Sequence, residues 1–338
     1  MVATKRRRPR EASDRAKRGP AAPERRKPRI GLALGAGAAR GWAHIGVVEA
    51  LTAAGVAPDV VTGCSIGAFV GAALVTGHIG DLGPWARQLD WREILSHLDL
   101  RFAGGGLIEG DRLMRFMSER QDDVEIQDLP IAFGAIATDL ATGREVWLRE
   151  GSLFRAVRAS VALPGLVSPA ASDDRWLVDG ALVNPVPVSL CRALGADQVI
   201  AVNLNSDLAG KRAARRRGRS GDRARREVDS SGSNFLARLT KDIPSGIRGG
   251  AERFFVQLLD GERERPSYFD VVADSISIMQ DQITRSRMAG DPPEVLLQPR
   301  LGHIRLMDFN RAEDAIAEGR DCVERILPQL EESLQLSG

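Results

Sequence analysis

Gly63-Cys64-Ser65-Ile66-Gly67 follows an apolar segment, 60–62, and precedes a helix pattern of small residues, 68–74. A serine between two glycines at a strand-to-helix turn is typical of a nucleophile elbow. Both glycines are needed because the turn is so tight that a Cβ at either flank would collide with neighbouring backbone. We therefore predict that Ser65 is a catalytic nucleophile held at the end of a strand, with Gly63 and Gly67 shaping the elbow.

A loop rich in glycine and alanine, 35–41, precedes this elbow and follows the apolar run 30–34. Backbone amides at the start of the next helix, assisted by the helix dipole, stabilise an anion. In an acyl-transfer enzyme that anion is the tetrahedral oxyanion, and one such donor lowers the barrier by roughly 3–4 kcal/mol. The amides around Gly37 and Ala38 are the central candidates, and Arg40 adds a positive charge. The full predicted oxyanion hole comprises Gly35, Gly37, Ala38, Ala39 and Arg40.

A dinucleotide site is the competing interpretation of this loop, because a Gly-x-Gly turn after a first strand is also part of that fingerprint. The spacing argues against it, since Arg40 stands where the third glycine belongs. The following strand also ends in the serine elbow, and not in an acid that would bind a ribose.

A third candidate element is Asp179-Gly180-Ala181, which follows the apolar approach 176–178. We expect Asp179 to end a strand and Gly180 to permit close approach of the chain. An Asp-Gly pair alone is more often an ordinary turn. What favours a functional role is the order of the three elements along the chain: anion-binding loop, serine elbow, acid at a strand end.

With these residues the chain resembles the patatin-like phospholipases, specifically the bacterial branch related to neuropathy target esterase. The resemblance covers about 29–205 and resumes near 266–338. Besides the three elements above, it is carried by the stretches 32–46, 137–140, 159–165 and 184–188. One departure is that Ala36 and Ala38 stand where the family's loop is usually glycine. Alanine keeps the amide, so function survives unless the loop needs a positive φ there.

The resemblance implies a Ser-Asp dyad in which Asp179 removes the Ser65 proton directly, with no metal and no cofactor. The scarcity of histidine is compatible with this, because His44, His78, His97 and His303 are all that the chain contains. We expect His44 and His78 to be helix-surface or helix-end residues. An ordinary Asp has a pKa near 4, so Asp179 needs burial beside an apolar channel to become an effective base.

Strand and helix patterns alternate along the chain, which predicts an α/β fold: a mainly parallel sheet sandwiched by helices in three layers. We divide the chain into four parts. They are a basic disordered tail (1–28), a patatin-like catalytic domain (29–205), a basic low-complexity insertion with a possible lid (206–265), and C-terminal helices that complete the catalytic domain (266–338).

The charge is distributed unevenly. The chain has a formal net charge of +2, yet residues 1–29 carry a net +9 and residues 206–229 a net +5, so the remainder is acidic. Such basic segments suit peripheral contact with an anionic membrane, where each Lys or Arg contributes roughly 1 kcal/mol. A solvated tail with no fixed partner remains an equal alternative, and no specific nucleic-acid partner is expected.

Three scattered cysteines and the lack of a secretory signal favour the cytoplasm, with the inner membrane face as a peripheral site.

The sequence therefore predicts a serine hydrolase that cleaves carboxylic esters of phospholipids or lysophospholipids and releases fatty acid. The alternative is a noncatalytic or regulatory protein on the same fold, recruited to membrane or nucleic acid by its basic segments. Retention of Ser65, Asp179 and Arg40 argues against that alternative, because a protein freed from catalysis has no chemical reason to keep all three.

Overall fold

The structure is a computed structural model that describes residues 26–89, 111–206 and 268–334. Most of the basic tail (1–28) and of the insertion (206–265) lies outside the described residues, as does His97. Within the described residues no helix has the length and apolar character needed to span a bilayer.

The core of the molecule is one eight-stranded sheet. Its order is β5-β6-β3-β2-β1-β7-β8, with β4 also pairing with β3. The pairings β1–β2, β1–β7, β2–β3 and β7–β8 are parallel, while β3–β4, β3–β6 and β5–β6 are antiparallel. The strands are β1 (Ile30–Leu34), β2 (Val60–Cys64), β3 (Ala132–Asp139), β4 (Glu145–Leu148), β5 (Ala170–Ser172), β6 (Arg175–Asp179), β7 (Gln198–Val202) and β8 (Val295–Leu297).

Helices connect these strands and cover both faces of the sheet. The described α-helices are α1 (Ala43–Ala53), α2 (Ile66–Val75), α3 (Ile79–Gln88), α4 (Asp111–Ser118), α5 (Leu153–Ser160), α6 (Val188–Ala193), α7 (Tyr268–Gly290), α8 (Ala312–Glu324) and α9 (Leu327–Ser333). Short 3-10 turns are formed by Ala38–Trp42, Ile126–Asp128, Gly180–Leu182 and Phe309–Arg311.

Strand β1 shows how the two faces are filled, because its side chains alternate between them. Leu32 and Leu34 belong to the larger apolar cluster, which is built with α1, α2, α5 and α8. Ala33 belongs to a second cluster on the other face, together with Val188 and Cys191 of α6. The fold prediction, a mainly parallel sheet between two layers of helices, is thus confirmed.

The register of β3 explains where the site forms. Strand β2 runs parallel to β3 and ends with Cys64 opposite Ile136. Strand β6 runs antiparallel to β3 and ends with Asp179 opposite Ala137. Since β4 occupies the other edge of β3 at both positions, β2 and β6 must lie on the same edge and meet end to end. The residue after β2 is therefore brought beside the last residue of β6.

The sequence patterns also predict individual elements, for example strands over 29–34 and 59–63 and a helix over 66–76. Most of these begin or end within a few residues of the observed elements, with three differences. The sequence pattern predicts a helix over 83–98, whereas the observed α3 begins earlier, at Ile79, and residues 90–98 lie outside the described residues. The sequence pattern over 310–335 predicts one helix, whereas the structure has two, α8 and α9, and α9 carries a proline in its first turn. Strand β5 was not predicted, because Ala170-Ala171-Ser172 has none of the β-branched or aromatic residues that mark strands.

Candidate active site

Ser65 occupies a strained turn between β2 and α2. Its φ is +56°, in the left-handed region that residues with a side chain rarely adopt. The backbone amide of Ser65 donates to Ser160 Oγ at 2.9 Å, which helps to hold this conformation. The Ser65 side chain is left half-buried, as a nucleophile that must meet a substrate requires.

The flanking glycines are required by close backbone contacts. A Cβ on Gly63 would lie 2.4 Å from the backbone of Ala68, and one on Gly67 would lie 2.2 Å from Leu34 O. Backbone atoms cannot move aside as a flexible side chain can. Any larger residue at either position would therefore displace α2 from the sheet and move Ser65.

Asp179 lies directly beside Ser65. Ser65 Oγ donates a hydrogen bond of 2.5 Å to Asp179 Oδ2, and the amide of Ala181 donates to Oδ1 at 2.8 Å. The backbone of Asp179 is held as well, because its amide donates to Ala162 O and its carbonyl accepts from Thr138 Oγ1, both at 2.9 Å. The carboxylate therefore has a fixed orientation toward the serine.

Burial makes this carboxylate a stronger base. Asp179 has no exposed surface, and loss of solvation raises its pKa to about 6, while the bonds from Ser65, Ala181 and the more distant Cys64 thiol act to lower it. At neutral pH Asp179 is ionised, yet it accepts a proton far more readily than an exposed aspartate. Gly180 permits this placement, since a Cβ there would lie 2.3 Å from Ile136 O.

The glycine- and alanine-rich loop supplies two unused amides. The amide of Gly35 donates to Val202 O, that of Ala36 to Pro185 O, that of Ala39 to Leu306 O, and that of Arg40 to Gly37 O. Within the described part of the chain, the amides of Gly37 and Ala38 have no hydrogen-bond acceptor. The predicted oxyanion hole comprises five backbone amides, those of Gly35, Gly37, Ala38, Ala39 and Arg40. In the described structure only the amides of Gly37 and Ala38 are available to bind an oxyanion.

Ala38 has a φ of +47°, so the loop does require a left-handed residue at one of its two alanine positions. An L-residue there carries a strain of roughly 1–2 kcal/mol that glycine would not. At Ala36 no positive φ occurs. The backbone hydrogen bonds of the residues on either side of Gly37 and Ala38 hold the loop in this conformation.

Arg40 is placed differently from a freely projecting charge. Its side chain is 4% exposed, with Nε donating to Ile304 O and Nη1 to Asn205 Oδ1, both at 2.9 Å. These bonds anchor the start of the helix that follows the loop.

The histidines correct one expectation and agree with another. His44 is fully buried in α1 and not on its surface, and its Nε2 lies 2.7 Å from Gly35 O. Burial lowers its pKa to about 4, so the ring is neutral and Nε2 must carry the hydrogen that Gly35 O accepts. His78 stands at the start of α3 in contact with Asp81, a helix-end position as expected.

Sequence reasoning missed three polar residues that hold the site: Ser160, Thr138 and Asn205. Ser160 lay within the stretch 159–165 that carries the family resemblance, but nothing in the pattern gave it a partner. Asn205 follows the buried strand β7, and a polar residue at the carboxyl end of a parallel strand is a usable signal. Among the described residues, no group of three His, Cys, Asp or Glu side chains is arranged to hold a metal ion.

Comparison with known proteins places these features in a family. The family model "Patatin-like phospholipase" matches residues 32–192, a range that includes the loop, the elbow and Asp179. An uncharacterized NTE family protein of Mycobacterium tuberculosis is 32% identical over 333 residues, covering 90% of this chain and 92% of that protein.

Two further relatives match over a shorter region. Human patatin-like phospholipase domain-containing protein 6 is 34% identical over 184 residues, or 52% of this chain and 13% of that protein. Lysophospholipase nte1 of Aspergillus fumigatus is 34% identical over 184 residues, or 52% of this chain and 12% of that protein.

The structure of VipD from Legionella pneumophila aligns with a TM-score of 0.49 at 12% identity, covering 90% of this chain and 67% of that one, and the assignment does not depend on it. It depends on the match along nearly the whole length of the mycobacterial relative and on the family model. The chain belongs to the patatin-like phospholipase family, in the branch named for neuropathy target esterase.

Proposed function

We propose that the protein is a serine acyl hydrolase with a Ser65–Asp179 dyad, which cleaves carboxylic esters of phospholipids or lysophospholipids. The observation that carries the proposal is the 2.5 Å hydrogen bond from Ser65 Oγ to a fully buried Asp179 carboxylate. Family membership supports lipid esters as the substrate class, since relatives are named phospholipase and lysophospholipase.

The first half of the reaction acylates the enzyme. Asp179 accepts the Ser65 proton as Oγ attacks the ester carbonyl carbon, and the amides of Gly37 and Ala38 donate to the resulting oxyanion. When the tetrahedral intermediate collapses, the carbon–oxygen bond to the leaving alcohol breaks. Asp179 returns its proton to that alcohol, so the carboxylate is restored.

The second half releases the fatty acid. A water molecule gives a proton to Asp179 and attacks the acyl carbon. The second tetrahedral intermediate expels Ser65 Oγ, which takes the proton back from Asp179. One base therefore serves both halves, and the cycle needs no other proton carrier.

A fluorophosphonate probe tests the proposal, because it forms a covalent adduct with an activated serine. We expect labelling and lysophospholipid hydrolysis to be lost in Ser65→Ala and Asp179→Asn. Asp139→Asn is a matched control, since Asp139 also ends a buried strand but accepts the amides of Ala141 and Thr142 in its own turn. Folded wild-type protein without a Ser65-dependent adduct would support the noncatalytic alternative.

We further propose peripheral contact with an anionic membrane through 1–28 and 206–229, at the inner membrane face. The net charges of +8 in 1–28 and +5 in 206–229 support it, and neither stretch is covered by the described residues beyond its edges. Deletion of 1–28 should weaken sedimentation with anionic liposomes at low salt. Unchanged sedimentation would rule that segment out as an anchor.

A further inference from the structure

A buried group of polar side chains joins the oxyanion loop to helix α7. Its centre is Asn205, which is 2% exposed and lies just after strand β7. Asn205 Oδ1 accepts from Arg40 Nη1 at 2.9 Å, and Asn205 Nδ2 donates to Ala36 O at 3.3 Å. One carboxamide thus contacts the loop on both sides of Gly37 and Ala38.

The orientation of this carboxamide is itself fixed. Asn205 Nδ2 also donates to Gln280 Oε1 at 3.0 Å, and the Asn205 amide donates to Asn203 Oδ1 at 3.0 Å. Gln280 belongs to α7 and is 5% exposed. Because Arg40 can only donate and Ala36 O can only accept, the Asn205 oxygen must face Arg40 and its amino group Ala36 O, and Gln280 Oε1 accepts from the same amino group.

Helix α7 reaches the other half of the site two turns later, on the same face as Gln280. Arg287 Nη2 donates to Glu145 Oε2 at 2.6 Å, and Glu145 Oε1 accepts from Asn184 Nδ2 at 2.7 Å. The Asn184 amide donates to Gly180 O, in the turn that follows Asp179. A single helix therefore holds both the loop with the free amides and the segment with the base.

We propose that Asn205, held in place by Gln280, is a positioning residue that sets the placement of the Gly37 and Ala38 amides for the oxyanion. This proposal rests on the acyl-hydrolase function proposed above. It assigns to Arg40 a role through Asn205 and Ile304, and not a direct contact with substrate. Geometry of this kind matters to the rate because a displacement of about 1 Å in a reacting assembly can slow it about 100-fold.

Three variants test the proposal. Asn205→Leu keeps the approximate volume and removes every side-chain hydrogen bond of the residue. Gln280→Met keeps the length of the side chain and removes only the acceptor, while Gln280→Glu keeps an acceptor and serves as the conservative rescue. All three are assayed with p-nitrophenyl butyrate, a soluble ester, and their folding is checked by circular dichroism and thermal melting.

For Asn205→Leu and Gln280→Met we expect kcat to fall about 10- to 100-fold, with KM changed by less than about twofold. The affinity for a trifluoromethyl ketone, which forms a tetrahedral oxyanion with Ser65, should fall by the same factor, because the transition state and this analogue use the same two amides. Gln280→Glu should stay within about threefold of the wild type near neutral pH. The pH dependence should be unchanged in Asn205→Leu and Gln280→Met, since Asp179 is not touched.

Wild-type kcat in folded Asn205→Leu and Gln280→Met would overturn the proposal and leave the hydrolase function intact. A loss of kcat that is not matched by the ketone affinity, or that Gln280→Glu shares, would also overturn it, because the defect would then be general loosening. If Asn205→Leu does not fold, the comparison of kcat between Gln280→Met and Gln280→Glu decides whether the proposal holds. A folded wild-type protein that hydrolyses no ester and forms no Ser65 adduct would overturn the hydrolase function, and this proposal with it.

Discussion

Asp179 is the base of the proposed reaction, and two opposing effects set its basicity. Removal from water disfavours the charged carboxylate and raises its pKa, whereas the donors Ser65 and Ala181 favour the charge and lower it. Desolvation is the larger effect, so the pKa reaches about 6. The carboxylate is therefore ionised near pH 7, and its raised pKa suits the proton transfers that the proposed mechanism assigns to it.

The pH dependence of labelling should reflect this group. Asp179 acts only when deprotonated, so the rate of fluorophosphonate adduct formation should fall as the pH drops through about 6 and be level above pH 7. His44 is the control, because its pKa of about 4 leaves it neutral throughout this range. The limb near pH 6 should persist in His44→Asn, and its disappearance there would identify a histidine base instead.

The structure brings together Ser65, Gly63, Gly67 and Asp179, which sequence reasoning selected as candidates because each lies in a local pattern whose proposed chemistry demands that residue type. Sequence reasoning did not give the left-handed φ of Ala38, which depends on bonds to distant residues such as Val202 and Leu306. Nor did it show that His44 is buried, because burial in α1 depends on elements that pack on this helix from distant parts of the chain, such as α8. Residues fixed by long-range partners are those that local patterns cannot reveal.

At the scale of elements, the tightest packing is between α1 and α8. A Cβ on Gly46 of α1 would lie 1.9 Å from Ile316 O, and a Cβ on Gly319 of α8 would lie 2.1 Å from Ala43 O. Each helix thus presents a glycine to the backbone of the other. This contact holds α1, and with it the helix start that follows the oxyanion loop, against the C-terminal part of the chain.

Gly46→Ala should therefore lower the free energy of unfolding by about 1–3 kcal/mol, because the added methyl forces the two backbones apart. Gly80→Ala is a matched control in α3, where an added Cβ meets nothing within 4 Å. There the higher helix propensity of alanine should raise stability by up to about 1 kcal/mol. Urea unfolding measures both, and a Gly46→Ala protein as stable as Gly80→Ala would contradict the contact.

The sequence patterns predicted most elements but not their arrangement. Alternating strands and helices indicated a mainly parallel sheet. The antiparallel pairing of β6 with β3 depends instead on the edge of β3 that β2 leaves unpaired after its last residue, Cys64. No pattern within Arg175–Asp179 contains that information. The meeting of β2 and β6 is accordingly a property of the assembled sheet.

At the scale of the whole molecule, the buried Asp179 charge reduces stability. Above pH 6 the carboxylate is ionised in both folded and unfolded chains, but in the folded protein it is desolvated. The difference between a pKa of about 6 and the ordinary 3.8 corresponds to about 3 kcal/mol. As the pH falls from 6 toward 3.8, Asp179 binds a proton in the folded protein before it does so in the unfolded chain. The contribution of Asp179 to the free energy of unfolding of the wild type therefore becomes more favourable.

Asp179→Asn should therefore be inactive yet more stable than the wild type at pH 8, by up to about 3 kcal/mol. Because the wild type recovers this energy on protonation, the advantage should fall to about half at pH 5. Denaturant unfolding of both proteins at the two pH values measures the difference between their free energies of unfolding. The contributions of the other titrating groups are the same in both proteins and cancel in this difference. An advantage that does not change with pH would show that the Asp179 charge is not its source.

The end-to-end meeting of β2 and β6 also determines when the proposed Ser65–Asp179 dyad is assembled during folding. Ser65 and Asp179 are 114 positions apart, and they come together only after both strands have docked on β3. A partly folded chain thus carries a serine without its base. Recovery of ester cleavage during refolding would therefore report that this long-range strand order is complete. Secondary-structure signals arise from local contacts, so we expect them to recover earlier.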